Sequence, residues 1–445
     1  MVSAEQLSVR YPRTARPALD RASFALERGA VAWLLGPNGS GKSTLGLAAC
    51  GLVPHVVPAL RNGSITTGGF DPAALSTLER AALTAMVPQD PDAGLCTLSV
   101  AAELALTLEN RAVTPATIRR RVAETIEQFG LTALTDRPLA QLSGGEKQLV
   151  NVAAIAICPP ELLVLDEPGS YLDDGNRATV LTALRELHRR APELTMLAIE
   201  HRPDGLPPAD ALYRCSRGRV ERLAEPPAPW GDRFPRLPQQ GAAQHGDQVL
   251  CVDDLAFAWP GRSQRRIFDG LQISARAGEI VVVRGPNGSG KSTLFKLILG
   301  ALRPQRGRIE SGPIAYVPQN PEHLFVSYRV RDEIRSALGT SEEVASVAAQ
   351  FGLSELLDRN PYELSAGQKR RLNIAIVAAT DARLVLLDEP TFGLDQEGVV
   401  ALIGAIDALR GRGCAQLIAT HDDRFAHAIA GRTLTVDDRR LVVTA

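Results

Sequence analysis

Two stretches of this 445-residue chain are built for phosphate chemistry. Gly36 to Leu45 reads GPNGSGKSTL, and the same ten residues recur unchanged from Gly285 to Leu294. Glycines at 36, 39 and 41 let the backbone turn tightly and aim its N–H groups at an anion. A helix opening at the lysine would add its positive end. Lys42 can reach the β- and γ-phosphates of a nucleotide, and the Ser43 hydroxyl can ligate Mg²⁺. Lys291 and Ser292 would repeat these roles behind Gly285, Gly288 and Gly290. Pro37, Asn38, Ser40 and Thr44 complete the first cradle, and Pro286, Asn287, Ser289 and Thr293 the second. Farther along, Asp166-Glu167 and Asp388-Glu389 each close an apolar run. The aspartate can hold the metal directly or through water. The glutamate can orient a water and accept its proton for in-line attack on the γ-phosphate. A lone acidic pair at a strand end is usually a solvated feature, but here it follows a phosphate loop twice.

The repeat also gives weight to residues that alone would carry none. Gln89 and Gln319, each in a VPQ, could ligate Mg²⁺ or sense the attacking water. His201 and His421 follow apolar stretches and could touch the γ-phosphate, although a single histidine is more often structural. Ser143-Gly144-Gly145 and Ser365-Ala366-Gly367 would open helices, offering a hydroxyl, N–H groups and a dipole to an anion. Tyr11 and Trp259 precede the two loops by 25 and 26 residues and could stack on adenine, with Phe257 competing for the second place. Such stacking is worth about 1–3 kcal/mol per base.

The elements that must position these groups follow from the same pattern. Short apolar runs bounded by turns (Ala30 to Leu35 and Leu162 to Leu165; Ile280 to Val283 and Leu384 to Leu387) suit parallel strands buried on both faces. Ile118 to Gly130 and Glu343 to Gly352 mix apolar and polar residues at helical spacing. The fold class is therefore α/β, twice, with domains expected at 1–224 and 249–445. Residues 225–248, rich in Pro, Gly and Gln, read as a semi-extended linker. Gly36 to Gln89 spans 53 residues against 34 for Gly285 to Gln319, which places an insertion around Pro54 to Leu83. From glutamine to signature serine the first copy is again longer, 54 against 46.

Phosphate loop, glutamine, LSGG-type signature, acidic pair and histidine, in this order, resemble the ATP-binding domain of ABC proteins. The likeness covers nearly all of the chain outside the linker. It implies two tandem P-loop NTPase domains, each a mainly parallel sheet core with a helical subdomain and a small β subdomain. It implies ATP and Mg²⁺ as cofactors and ATP hydrolysis as the activity. In the family two such domains pair head to tail, so that the signature serine of one faces the γ-phosphate held by the other. One site would then join Lys42, Ser43, Gln89, Asp166, Glu167 and His201 to Ser365, Ala366 and Gly367. The second would join Lys291, Ser292, Gln319, Asp388, Glu389 and His421 to Ser143, Gly144 and Gly145. Asp173 and Asp395 match the family's D-loop aspartates. Glu146 stands where the family favours Gln, and Ala366 replaces a signature glycine. Both copies keep their lysine, acids and histidine, which implies two hydrolytic sites.

A narrower resemblance follows each glutamine. QDPDAGLCTLSVAAELALTLEN from Gln89, and QNPEHLFVSYRVRDEI from Gln319, are similar to the ATPases of energy-coupling factor (ECF) importers. In that family this region borders the groove for a membrane subunit's coupling helices. It implies a transmembrane scaffold partner, a small membrane substrate-binding protein, and a vitamin or transition-metal ion as cargo. The chain would sit in the cytoplasm, peripheral to the inner face of the membrane, its two domains pairing intramolecularly. The alternative is a soluble dual ABC ATPase acting on ribosomes or nucleic acid. Composition weighs against that: 49 basic residues nearly cancel 50 acidic ones, and no basic stripe stands out. No apolar run approaches the ~18–20 residues of a membrane span. Six cysteines without a C-x-x-C pair suggest reduced, buried thiols.

Overall fold

The computed structural model describes residues 1–12, 14, 16–170, 172, 174–200, 205–225, 234–238, 246–259, 266–285, 289–338, 343–429, 431–437 and 440–444. The chain forms two compact units, Met1–Trp230 and Gly231–Ala445. The first opens with β1 (Val2–Arg10), β2 (Leu19–Leu26), β3 (Val31–Leu35), α1 (Lys42–Ala49) and β4 (Leu60–Thr67). It continues through α2 (Thr77–Leu83), β5 (Thr84–Val87), α3 (Val100–Glu109), α4 (Pro115–Gln128) and α5 (Gly144–Ala156). β6 (Leu162–Asp166), α6 (Asp174–Arg190), β7 (Thr195–Ile199), β8 (Ala211–Ser216) and β9 (Arg219–Leu223) complete it.

The second unit repeats this order without a counterpart of α2 and with a helix, α12, that has none among the described residues of the first. Its elements are β10 (Gln248–Ala258), β11 (Arg266–Arg276), β12 (Ile280–Arg284), α7 (Lys291–Ile298), β13 (Arg306–Ser311) and β14 (Ile314–Val317). Then come α8 (Val330–Leu338), α9 (Val344–Gln350), α10 (Ala366–Ala378), β15 (Leu384–Asp388) and α11 (Gln396–Gly411). β16 (Ala415–Thr420), α12 (Asp423–Ile429), β17 (Arg432–Asp437) and β18 (Arg440–Thr444) follow.

Each unit holds a six-stranded sheet, in the orders β5-β6-β7-β3-β8-β9 and β14-β15-β16-β12-β17-β18. All neighbours are parallel except the last hairpin. A small antiparallel sheet, β2-β1-β4 or β11-β10-β13, accompanies it. The apolar run of β6 is continuous because both its faces are covered. Leu162 and Val164 join one core, and Leu163 and Leu165 another. β15 splits in the same way. The helical subdomain of the first unit has its own core, in which Val100, Leu104 and Leu108 of α3 meet Val122, Val150 and Ala153. No helix among the described residues is long and apolar enough to cross a membrane.

The length differences fall where the cores are indifferent to them. In the first unit α2, started by a Ser76–Glu79 capping box, lies between β4 and β5, whereas only Gly312 and Pro313 join β13 to β14. The longer span before the first signature is mainly α4, 14 residues against 7 in α9. All six cysteines are free, but only Cys50 and Cys215 are buried and Cys96 is exposed, so the expectation of uniformly buried thiols is corrected.

Five residues of the expected linker, 234–238, pack on the second unit. Phe234 enters its core, Leu237 N donates to Ala428 O at 2.8 Å, and Arg410 Nη1 donates to Pro238 O at 2.6 Å. Phe234→Ala should therefore destabilise the second unit by roughly 3 kcal/mol through the cavity it leaves. Urea unfolding followed by hydrogen exchange checks this, with the first unit's transition expected to stay in place.

Candidate functional site

The phosphate loop of the first unit connects the buried strand β3 to α1. Gly36, Gly39 and Gly41 all have positive φ. At Gly36 any Cβ would lie 2.1 Å from Cys215 O, and at Gly41 2.3 Å from Ala18 O, so both positions exclude a side chain. Gly41 caps α1 with no side-chain hydrogen bond, which leaves the helix's first N–H groups for an anion. Lys42 is buried and donates to the carbonyls of Gly36 at 2.8 Å and Pro37 at 3.0 Å. Ser43 Oγ donates to Asp166 Oδ1 at 3.0 Å, and Gln89 Nε2 to Glu167 Oε2 at 2.8 Å. The loop, glutamine and acid pair expected to act together are thus brought together. Tyr11 OH lies 3.1 Å from Thr44 Oγ1, so its ring borders this loop.

The second unit gathers the same residue types. Gly290 caps α7 at φ 107, and Lys291 Nζ donates to Gly285 O at 2.6 Å. Lys291 also lies 3.3 Å from Glu389 Oε1, while His421 Nδ1 lies 2.9 Å from Glu389 Oε2. Burial pushes the Glu389 carboxyl up, but His421 and Lys291 outweigh it and bring it below the usual carboxylate range. Asp388 moves the other way: burial dominates and Glu389 beside it adds repulsion, against Ser292, Tyr316 and Lys291. Among the described residues Asp388 Oδ1 is a buried acceptor with no hydrogen-bond donor, next to the exposed Ser292. A hydroxyl and a carboxylate oxygen fit a hard divalent cation, whose remaining positions phosphate oxygens and water can fill. Gln319 is exposed. Trp259 is exposed and meets Phe257 edge-on at 5.4 Å, whereas Phe257 is buried. His201, Asp173, Pro286, Asn287 and Gly288 lie outside the described residues.

Both catalytic-type glutamates adopt a left-handed backbone, φ 48 at Glu167 and 44 at Glu389. A side chain there costs of order 1–3 kcal/mol and persists only where its surroundings impose it. Each glutamate N–H is fixed to the neighbouring parallel strand, to Ile199 O at 2.8 Å or Ala419 O at 2.9 Å. The turn swings the carboxylate out of the strand's alternation.

The signature serines cap α5 and α10 in full capping boxes, Ser143 with Glu146 and Ser365 with Gln368. Glu146 in place of Gln, and Ala366 in place of Gly, leave this geometry intact. Each serine oxygen accepts from the helix, so its O–H proton stays available to an anion. Several contacts escaped the sequence reading. Ser170 Oγ donates to Glu167 Oε2 at 3.0 Å, Tyr316 OH to Asp388 Oδ2 at 3.3 Å, and Arg370 grips the loop at Gln319. Comparing the two copies position by position gives the only signal for them, since each is unlike its counterpart.

The family model "ABC transporter" matches residues 19–170 and 268–392. The chain belongs to the ABC transporter family and is an ATP-binding ATPase of that family. Similar proteins extend over both units. One, of Bacillus subtilis, bears the name of a candidate HMP/thiamine import ATP-binding protein, YkoD. It is 30% identical and covers 99% of this chain and 90% of its own length. Another, of Streptomyces avermitilis, is named only as a candidate ABC transporter ATP-binding protein, at 31% identity over 98% of this chain and 92% of its own. Among solved structures an archaeal ribosome recycling factor, in complex with a ribosomal stalk protein, superimposes with TM-score 0.64. Its identity is 22%, over 97% of this chain and 87% of that one, a likeness of fold.

If each glutamate accepts the proton of the attacking water, Glu167→Gln and Glu389→Gln should each remove one site's turnover by about 10²-fold or more. The double variant should be inactive while still binding ATP. Steady-state phosphate release beside equilibrium ATP binding measures this, and undiminished activity in either single variant would show that its site does not contribute.

Proposed function

We propose that this chain is the energising subunit of an importer of the energy-coupling factor type. Two Mg²⁺·ATP sites would each be completed by the signature serine of the opposing half within the same chain. The partners would be a transmembrane scaffold subunit and a small membrane protein that binds a vitamin or transition-metal ion, with the chain peripheral on the inner face. In this reading Asp166 and Ser43, and Asp388 and Ser292, hold the cation, with Gln89 and Gln319 beside it. A bound Mg²⁺ would neutralise charge developing on the phosphate oxygens. Lys42 and Lys291 bind the phosphates, Glu167 and Glu389 accept the water's proton, and His421 orients Glu389. His201, by the repeat, serves the first site.

The observation that carries the membrane role is a pair of exposed apolar loop tips. Leu98 is 87% exposed in the first unit, and Val326 and Tyr328 are 82% and 84% exposed in the second. Each tip is held stiffly in place by a buried carboxylate. Glu103 accepts from Cys96 N, Thr97 N and Thr97 Oγ1, the last two at 2.8 Å. Glu333 accepts from Val326 N at 2.7 Å and Ser327 N at 2.6 Å. Rigid apolar side chains offered to solvent at matching places suit a partner rather than a core. The full-length relative named for import supports the same reading.

A tagged chain purified from its own host in detergent should carry a multi-span membrane protein with it. Leu98→Asp combined with Tyr328→Asp should reduce that recovery about tenfold or more, since two buried apolar anchors are lost. ATPase activity of the isolated chain should stay within about twofold, both residues lying outside the nucleotide contacts. Recovery of ribosomes in place of a membrane protein would support the ribosomal alternative.

A further inference from the structure

In each unit the helix that begins at the signature serine is laced to the glutamine loop by three side chains. The outer rung is an ion pair, Lys147 to Asp92 and Lys369 to Glu322, both at 2.6 Å. The middle rung is an asparagine amide, Asn151 to Pro91 O at 2.9 Å and Asn373 to Pro321 O at 3.1 Å. The inner rung differs. In the first unit Gln148 Nε2 donates to Pro88 O at 3.0 Å and Pro168 O at 3.2 Å. In the second, Arg370 occupies that place and donates to two consecutive carbonyls, Pro318 and Gln319, both at 2.7 Å.

Arg370 is 1% exposed, and burial lowers it to about 10, so it remains charged at neutral pH. The charge that acts on it is that of Asp388. Tyr316 pairs in the sheet with Leu386 as Met86 does with Val164, so the tyrosine that donates to Asp388 is also confined to the second unit. A planar guanidinium fixes two carbonyls at once, where a glutamine amide binds more loosely.

We propose that Arg370 and Tyr316 are a positioning pair peculiar to the second nucleotide site: Arg370 fixes the Gln319 backbone, and Tyr316 fixes Asp388 through Oδ2, leaving Oδ1 turned to the cation. The proposal rests on the reading of Asp388, Gln319 and Glu389 as a Mg²⁺·ATP site. The second site would thus be preorganised for the cation before nucleotide arrives.

The test uses the full chain carrying Glu167→Gln, so that turnover reports the second site. Arg370→Gln installs the side chain that already occupies this place in the first unit. In the nucleotide-free protein, amide exchange at Glu322 and His323, whose N–H groups bond to Asn320, should quicken about fivefold or more, since two hydrogen bonds to that turn are weakened. The Mg²⁺ concentration for half-maximal turnover should rise and kcat fall, each about five- to tenfold, while ATP binding without Mg²⁺ stays within about twofold. Tyr316→Phe removes one oxygen without disturbing the core and should raise the Mg²⁺ requirement about threefold, with exchange at Glu322 and His323 unchanged. Unaltered exchange and unaltered Mg²⁺ dependence in both variants would overturn the pairing. Turnover surviving a further Glu389→Gln would instead overturn the reading of the site itself, and the proposal with it.

Discussion

The constraint on which each unit depends is a pair of adjacent carboxylates delivered to the end of a fully buried strand. Asp166 and Glu167, and Asp388 and Glu389, are all nearly inaccessible to water. Two neighbouring carboxylates so placed repel each other and lose hydration, and either effect would protonate or expel them without compensation. The surrounding fold supplies it. A glycine loop that tolerates no side chain at Gly36 or Gly41 brings a buried lysine close, and the start of α1 or α7 adds a serine. The strained turn at each glutamate survives because the buried parallel strands fix its N–H, so the cores of the sheet hold the acid where chemistry would need it.

The two copies differ in the residues behind this pair. In the first unit Gln89 and Ser170 donate to Glu167. In the second Glu389 is held by Lys291 and His421, and Phe392 stands at the place of Ser170. A carboxylate between cationic partners is stabilised as the anion. Identical loop sequences are thus backed by unlike residues, Ser170 against Phe392, Met86 against Tyr316 and Gln148 against Arg370.

That division explains what was legible in the chain. The parallel strands, the helix after each phosphate loop and the helices at both signatures follow from apolar runs, glycines and caps, which act locally. The grouping of Lys42, Ser43, Gln89, Asp166 and Glu167 was legible because a repeat of the same types in the same order implies a common site. Contacts across the sequence were not. Nothing near Gly36 says that Cys215 O forbids a side chain there, and Arg370 reads as one more surface cation beside Arg371 until its burial is seen. The strap at 234–238 was hidden for a similar reason: proline-rich composition describes stiffness, and Phe234 alone does not reveal the core that receives it.

Fusion of two copies in one chain makes such divergence possible. In a dimer of identical subunits every substitution appears at both sites, so an arginine that tightens one would tighten the other. Here Arg370 and Tyr316 face Gln148 and Met86 as their counterparts, and the exposed tips differ too, Leu98 against Tyr328. Under the proposed role, two unlike tips would let each unit dock on a different segment of the membrane partner. An asymmetric partner is served better by such a chain than by two copies of either half.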